Sequence, residues 1–291
     1  MLNKIRTQQF ILILAMVLLV GFLFSRDVKG LVAPKNDGRQ MPSPSEGPMA
    51  PTAKLNIEEV STTAKNLVSN AMSKEISLLE TNFKRASGND KITQAKELAQ
   101  KWDDVEQSTP SALYLEVVAN GEPTAPNWLL AGNRFLKAFD TSTPEDSLAT
   151  PILLAKANEA FKNALKIDTS SIDAKTGMGI TIVNGMGAPM EGIAMLRSVV
   201  AKDPKNLKAN MKLGEFAIKS GQYDKAIIRF NDIIKNIKAT PDAYLYLATA
   251  HEFLGHNEEA IDAYLNSKKL AANPTLSSFI DKRVNELRKK R

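Results

Sequence analysis

Few side chains in this sequence are equipped for chemistry. The only two histidines, His251 and His256, stand five residues apart, and cysteine is absent. Zinc and related ions are held by clustered Cys, His and carboxylate ligands at characteristic spacings, and this pair matches none of them. His251 reads as a packed helix residue and His256 as a polar residue of a tight turn, so no metal is expected. Gly177, Met178, Gly179 and Gly185, Met186, Gly187 superficially suggest phosphate-binding loops. Neither the G-x-G-x-x-G nor the G-x4-G-K-[ST] spacing is present, however, and no strand pattern precedes either glycine pair. Close helix packing and a turn account for them, and no cofactor is expected. The acidic pairs Asp103, Asp104 and Glu258, Glu259 read as helix surface charge. No nucleophile stands beside a base, so the chain is not expected to be an enzyme.

The missing cysteines also exclude disulfides, thiolate metal sites, c-type haem attachment and a lipoprotein anchor. The formal net charge of +6 is concentrated at the ends. Residues 1–54 carry seven Lys/Arg against three Asp/Glu, and residues 275–291 carry six against two. The stretch between them is slightly acidic and offers no basic footprint for nucleic acid, so none is expected as a partner.

Near the start, Phe10 to Phe24 are all apolar, and no charge occurs between Arg6 and Arg26. As a helix the uncharged stretch would span about 28 Å, close to the hydrocarbon thickness of a bilayer. Residues 1–25 are therefore expected to form a transmembrane anchor. A cleavable signal peptide is the competing reading, but charges follow the run at once, and the nearest small-residue site, at Ala33, is followed by Pro34. Counting Lys4 and Arg6 against Arg26, Lys29, Lys35 and Arg39 opposes a cytoplasmic N-terminus. The signal-like layout and short leading tail favour export of the body. The expectation is a single-pass protein of a bacterial inner membrane with its body in the periplasm; a body facing the cytosol is the alternative. Residues 26–54, with Pro34, Pro42, Pro44, Pro48 and Pro51 among Gly and Ser, read as a flexible linker spanning on the order of 30 Å.

Residues 55–120 read as an N-terminal helical region. Asn56 is placed to cap a helix, with Glu58 and Glu59 in its first turn. Ile57, Val60, Ala64, Val68, Met72, Ile76, Leu79 and Phe83 then recur at steps of three or four, predicting one continuous helical face. That face would either pack on its own domain or form a homo-oligomeric coiled coil through residues 57–83, although Lys74 and Thr81 interrupt the heptad. After Ser87 and Gly88, Asn89 starts a helix carrying Ile92, Ala95, Leu98, Trp102 and Val105, and a shorter helix runs from Pro110 to Ala119.

Further along, the chain echoes itself at 34 residues. Leu213, Gly214, Gly221, Ala226, Ile227 and Phe230 are matched by Leu247, Ala248, Gly255, Ala260, Ile261 and Tyr264. Toward the N-terminus, Leu196 precedes Phe230 by 34 residues, and Phe161 precedes Leu196 by 35. Trp128, Ala131, Gly132 and Phe135, then Ala157 and Phe161, supply an earlier copy. With this pattern, residues 126–274 resemble the tetratricopeptide repeat (TPR) family. The resemblance implies an all-α helix-hairpin solenoid of four repeats within residues 121–274. The first repeat carries a turn about thirteen residues longer than the period allows. Residues 275–291 would form a capping helix with a basic tail.

The resemblance also implies binding of protein segments on the concave face formed by the first helix of each repeat. Carried over, that face is Asp173, Thr176, Ile180, Val183 and Asn184, then Lys208, Met211, Glu215, Ile218 and Lys219, then Asp242, Leu245, Thr249, Glu252 and Phe253. The Asn/Lys/Arg set with which some members grip a peptide C-terminus is lacking. The mixed apolar and charged character implies an extended or amphipathic protein segment as partner. In the opposing reading, Ile180, Val183 and Ile218 merely pack on adjacent repeats. A membrane-tethered TPR layout also resembles accessory subunits of the Sec translocon and of cytochrome c maturation, which implies a scaffold or adaptor role in the cell envelope.

Overall fold

The chain divides into Met1–Glu46 and Gly47–Arg291. The computed structural model describes residues 55–143 and 149–289, all within the second unit. The apolar run Phe10–Phe24 and the Pro-rich stretch 26–54 lie outside the described residues. Among the described residues no helix is long and apolar enough to cross a membrane.

All regular structure among the described residues is helical. The N-terminal region comprises α1 (Ile57–Lys65), α2 (Asn70–Arg85), α3 (Gly88–Asp104) and α4 (Ser108–Gly121). Four hairpins come next: α5 (Ala125–Asp140) with α6 (Thr150–Ile167), α7 (Ile172–Thr181) with α8 (Pro189–Lys202), α9 (Leu207–Lys219) with α10 (Tyr223–Asp232), and α11 (Pro241–Phe253) with α12 (Asn257–Leu270). The final helix is α13 (Pro274–Lys289).

Local sequence starts each repeat in the same way. Thr124, Ser171, Asn206 and Thr240 precede α5, α7, α9 and α11, and each side-chain oxygen accepts a backbone N–H three residues on, at 3.0–3.3 Å. Such a cap satisfies one of the free donors of a helix start and contributes about 1 kcal/mol. The predicted Asn56 cap is also formed, its Oδ1 accepting from the Glu58 N–H at 2.8 Å.

Within each hairpin a small residue meets a large one. A methyl group at Gly132 would come within 2.8 Å of the Phe161 ring, and one at Gly214 within 2.5 Å of the Phe230 ring. At Gly179 it would stand 3.0 Å from Leu196. The missing side chains allow the paired helices to approach, so Phe161, Leu196, Phe230 and Tyr264 are all buried. Gly177 lies against Phe161 from the next repeat, which joins two hairpins through one ring. The buried side chains run on from Leu113 through Phe161 and Leu196 to Phe216, and a second cluster carries on through Phe230 and Tyr264 to Leu287 of α13. No hairpin completes its core alone, as expected of a stacked solenoid. The glycine pairs thus have the packing role expected of them, and Gly185, at φ +135°, marks a kink in the π-helical turn at the end of α7.

The expected continuous face over residues 57–83 is not one helix. The Asn66 and Leu67 amides close back on the Thr63 and Ala64 carbonyls at 3.1 and 3.0 Å, ending α1. Ser69 then caps α2, its hydroxyl accepting from the Met72 N–H at 3.3 Å. Residues that hydrogen-bond their own backbone have broken an apolar pattern that runs through them. The second helix runs back along the first. Lys65 pairs with Glu80 at 2.7 Å, Ser61 donates to Glu80, and Lys84 pairs with Glu58 at 3.0 Å. A rod-like coiled coil through residues 57–83 is therefore not available to this arrangement.

Helices α3 and α4 form another hairpin, and its turn repeats the geometry of the later ones. The amides of Gln107, Gln222 and His256 each donate to the carbonyl five residues earlier, on Trp102, Ala217 and His251, at 2.8–3.0 Å. The residue before each amide has positive φ: Glu106 at 58°, Gly221 at 71° and Gly255 at 75°. This is the αL termination of a helix for which glycine is preferred.

Candidate peptide-binding groove

Two open hollows lie along the C-terminal half of the solenoid. The first, of about 630 Å³, is bounded by the ends of α5 and α7, by one side of α9 and α11, and by Phe279 of α13. The second, of about 460 Å³, lies between α11, α12 and α13. Thr249 and Phe279 line both, making one groove in which the capping helix forms a wall.

Much of the expected concave face is gathered here. Glu215, Ile218 and Lys219 of α9, with Leu245 and Thr249 of α11 and Asn184 after α7, line the first hollow. Thr249, Glu252 and Phe253 line the second. Lys208 lies outside both; its Nζ donates to Asn133 Oδ1 at 2.7 Å. Its side chain reaches solvent, yet the protein around it desolvates the ammonium and holds its pKa below the usual lysine value. Met211 is half-buried and packs on the core of the last two repeats.

Thr176 and Ile180 do not belong to the groove. Each is 1% exposed. The Thr176 hydroxyl is spent on the Ile172 carbonyl at 2.8 Å, and Ile180 is part of the central apolar cluster. The first helices of the neighbouring repeats, α5 and α9, both contact α7. Ile180 thus packs within the apolar cluster, as its adjacent-repeat reading has it, and Val183 likewise packs against that cluster. Ile218 does both, packing on the C-terminal core while lining the first hollow.

The capping helix contributes residues that the repeat register does not reveal. Phe279, Lys282, Arg283 and Glu286 line the second hollow, and Phe139, Asp140 and Tyr246 enter the first. Phe279 had one available signal: it is a large apolar residue off the apolar stripe Leu276, Ile280, Val284 and Leu287. It is 51% exposed, and Phe253 is 61% exposed. Phe253 is held by stacking on Tyr223, with ring centroids 4.7 Å apart and planes 9° apart.

The polar groups of the groove largely answer one another. Arg283 Nε donates to Glu252 at 2.9 Å, a second guanidinium nitrogen also binds Glu252, and the third reaches Glu286 at 2.6 Å. The Tyr264 hydroxyl donates to Glu252 at 2.9 Å. Burial, then this hydrogen bond, push its pKa up to about 12. Burial and the charge of Glu215 push Tyr246 up to about 12 as well, while Glu215 is paired with Lys212 at 2.9 Å. The surface left for a ligand combines two exposed aromatic rings with half-buried aliphatic groups beside these paired charges, a composition suited to binding by apolar anchors.

Elsewhere the polar clusters are structural. Glu80 receives Lys65, Ser61 and the Tyr114 hydroxyl, tying α1, α2 and α4 together. Asp103 is not simple surface charge; it pairs with Arg134, both side chains being 19% exposed. Among the described residues no group of three or more His, Cys, Asp or Glu is arranged to hold a metal. His251 and His256 do meet, however, with their Nδ1 atoms 3.4 Å apart.

Comparison with known proteins agrees with this architecture. The sequence model of the tetratricopeptide repeat family matches residues 185–239. Anaphase-promoting complex subunit 3 of Dictyostelium discoideum is 32% identical over 127 residues, which is 43% of this chain and 13% of that protein. This chain thus spans a small part of that relative's length. Among solved structures, a tetratricopeptide repeat protein from Parabacteroides merdae superposes with a TM-score of 0.56 at 12% identity, covering 81% of this chain and 86% of the other. A thermophilic TPR protein from Thermus thermophilus superposes with a TM-score of 0.52 at 13% identity, covering 67% and 98%. The chain therefore carries a tetratricopeptide repeat at residues 185–239, and its described body has the fold of tetratricopeptide repeat proteins.

Proposed function

We propose that this protein is a membrane-tethered TPR scaffold that captures an extended or amphipathic protein segment in the groove between α9, α11 and α13, as an accessory factor in export or complex assembly in the cell envelope. The observation that carries the reading is the pair of exposed aromatic rings, Phe253 and Phe279, in a groove that also presents Ile218 and Leu245 and in which Arg283 is paired with Glu252 and Glu286, and Lys212 with Glu215. Large exposed apolar side chains gathered in a concavity mark binding surfaces, whereas scattered ones do not. The tether is the apolar stretch Phe10–Phe24, and the periplasm is the compartment favoured by the order of charge and apolar residues at that end. A receptor facing the cytosol is the second reading, favoured by the larger count of Lys and Arg after the apolar run.

The test is a photo-crosslinking residue placed in living cells at Ile218, inside the groove, or at Ile228, which is 70% exposed and absent from the groove lining. Ile218 should yield discrete crosslinked partners that disappear when Phe279→Glu is added, and Ile228 should not. The same partners from both positions, indifferent to Phe279→Glu, would refute the groove.

A further inference from the structure

A small hollow of about 80 Å³ opens between α8, the end of α9 and the start of α10, and shares only the buried Phe216 with the groove. Three cations line it, Arg197 of α8 with Lys225 and Arg229 of α10, and no Asp or Glu does. Among the described residues none of the three enters an ion pair. Lys225 donates to the Gln222 side-chain oxygen at 2.7 Å, and Gln222 donates in turn to the Ser220 hydroxyl at 2.7 Å. Asp232, one turn further along α10, attracts Arg229 from outside the hollow and accepts from Asn236 at 2.6 Å.

Arg229 is positioned from beneath. Its Nη1 donates to Asn210 Oδ1 at 2.8 Å, and Asn210 is 2% exposed. The Asn210 Nδ2 donates to the carbonyls of Pro204 and Asn206, both at 3.0 Å, which fixes the amide with its oxygen toward the guanidinium. A guanidinium carries five donors in a rigid fork. One nitrogen is engaged here, so the remaining donors and the whole charge are left for a ligand. Burial first, then the charge of Arg197, hold the Arg229 pKa below the usual arginine value, although the group stays protonated. A half-buried cation facing another cation is costly until an anion joins them. The repeat does not ask for these residues. One period away, the place of Arg229 is taken by Met195 and Ala263, that of Asn210 by Thr176 and Tyr244, and that of Arg197 by Asn231. The sister hairpins pack without this arrangement, so packing does not account for it.

We propose that Arg197, Lys225 and Arg229 bind one phosphate group, free or borne on a lipid headgroup. A phosphate group brings a charge of about −1.5 to −2 and three strong acceptor oxygens. Guanidinium forks match it bidentately, and lysine adds a point charge. A single carboxylate would leave most of the positive charge unneutralised. The hollow is far smaller than the roughly 300–1,000 Å³ that enclose whole small-molecule ligands, so it takes the charged group and leaves the rest of any larger molecule outside.

The experiment is calorimetric titration of the full chain with sodium phosphate, in a nonionic detergent at neutral pH and constant low ionic strength. Binding should saturate at one phosphate per chain, and sodium acetate should bind at least about tenfold more weakly. Arg197→Gln should weaken phosphate binding by about tenfold or more and leave the circular dichroism spectrum unchanged, since the Arg197 side chain is exposed. Arg229→Gln should weaken binding by a similar factor. Lys202→Gln removes an exposed charge of α8 outside the hollow and should leave the affinity as it is. Dihexanoyl phosphatidic acid, added to the phosphate complex, separates the two sources: displacement of phosphate assigns the headgroup, and no displacement assigns free phosphate. Equal losses in Arg197→Gln and Lys202→Gln, acetate as strong as phosphate, or phosphate affinity unchanged in both arginine variants would overturn the site.

Discussion

Glu106 occupies, at φ 58°, the position that Gly221 and Gly255 fill in the later turns. A side chain in the left-handed region costs roughly 1 kcal/mol relative to glycine. Nothing in the hydrogen bonding of the turn requires glutamate there; the bonds of the Glu106 and Gln107 amides are backbone ones. Glu106→Gly should therefore stabilise the protein by about 0.5–1 kcal/mol despite the added freedom of the unfolded chain, read as a higher urea midpoint; an equal or lower midpoint would contradict the assignment of strain. The same position shows what a sequence discloses at this scale. Gly221 and Gly255 announce their turns because glycine is the residue the backbone conformation prefers. Glu106 gives no sign of adopting the same conformation, and so the α3–α4 hairpin could not be recognised as a relative of the repeats. The contact between His251 and His256 is hidden for a related reason: residues five apart do not meet on a helix, and the αL turn folds these two together.

A hairpin was legible wherever its small–large pair sat in register. Phe161 illustrates why the pairing is strict. Its ring is fully buried, touching the backbone gap at Gly132 in its own hairpin and at Gly177 in the next, where an added methyl would come within 2.3 Å. Phe161→Ala should cost about 3–5 kcal/mol, and Gly177→Ala about 1–3 kcal/mol through overpacking. Because the second effect acts through the ring, pairing Gly177→Ala with Phe161→Leu, the residue type the next repeat uses at Leu196, should recover part of the loss. Strict additivity in urea melts monitored by helical circular dichroism would show that the two are not coupled. Registers that repeat failed to predict exposure, however. Thr176 and Ile180 occupy nominal groove positions but are buried on α7, a helix that both α5 and α9 contact, since packing between repeats, and not the position number, decides which side of a helix is left open. Over residues 57–83 the apolar period likewise continued across a break. Its cause is polar, the backbone bonds closing α1 and the Ser69 cap, and an apolar count does not register it.

At the scale of the molecule, no helix among the described residues is long and apolar enough to cross a membrane; the proposed tether is Phe10–Phe24, and on that proposal the compartment of the groove depends on which way the stretch is inserted. The Pro-rich stretch 26–54 separates it from the body and contains Arg26, Lys29, Lys35, Arg39 and Lys54, all sites for trypsin. Surface trypsin sites in the body lie largely within packed helices, where cleavage requires local unfolding. Brief trypsin treatment of intact spheroplasts should therefore release a fragment that begins near residue 55, carries the complete solenoid and is recovered in the medium. If the body faces the cytosol, the full-length chain should survive until the membrane is lysed. If the apolar run is instead a cleaved signal, a shortened chain should be in the periplasmic fraction before any protease is added. The distinction bears directly on the groove: its exposed Phe253 and Phe279 meet only the partners on their own side of the membrane, so the crosslinks sought at Ile218 must come from the compartment that trypsin identifies.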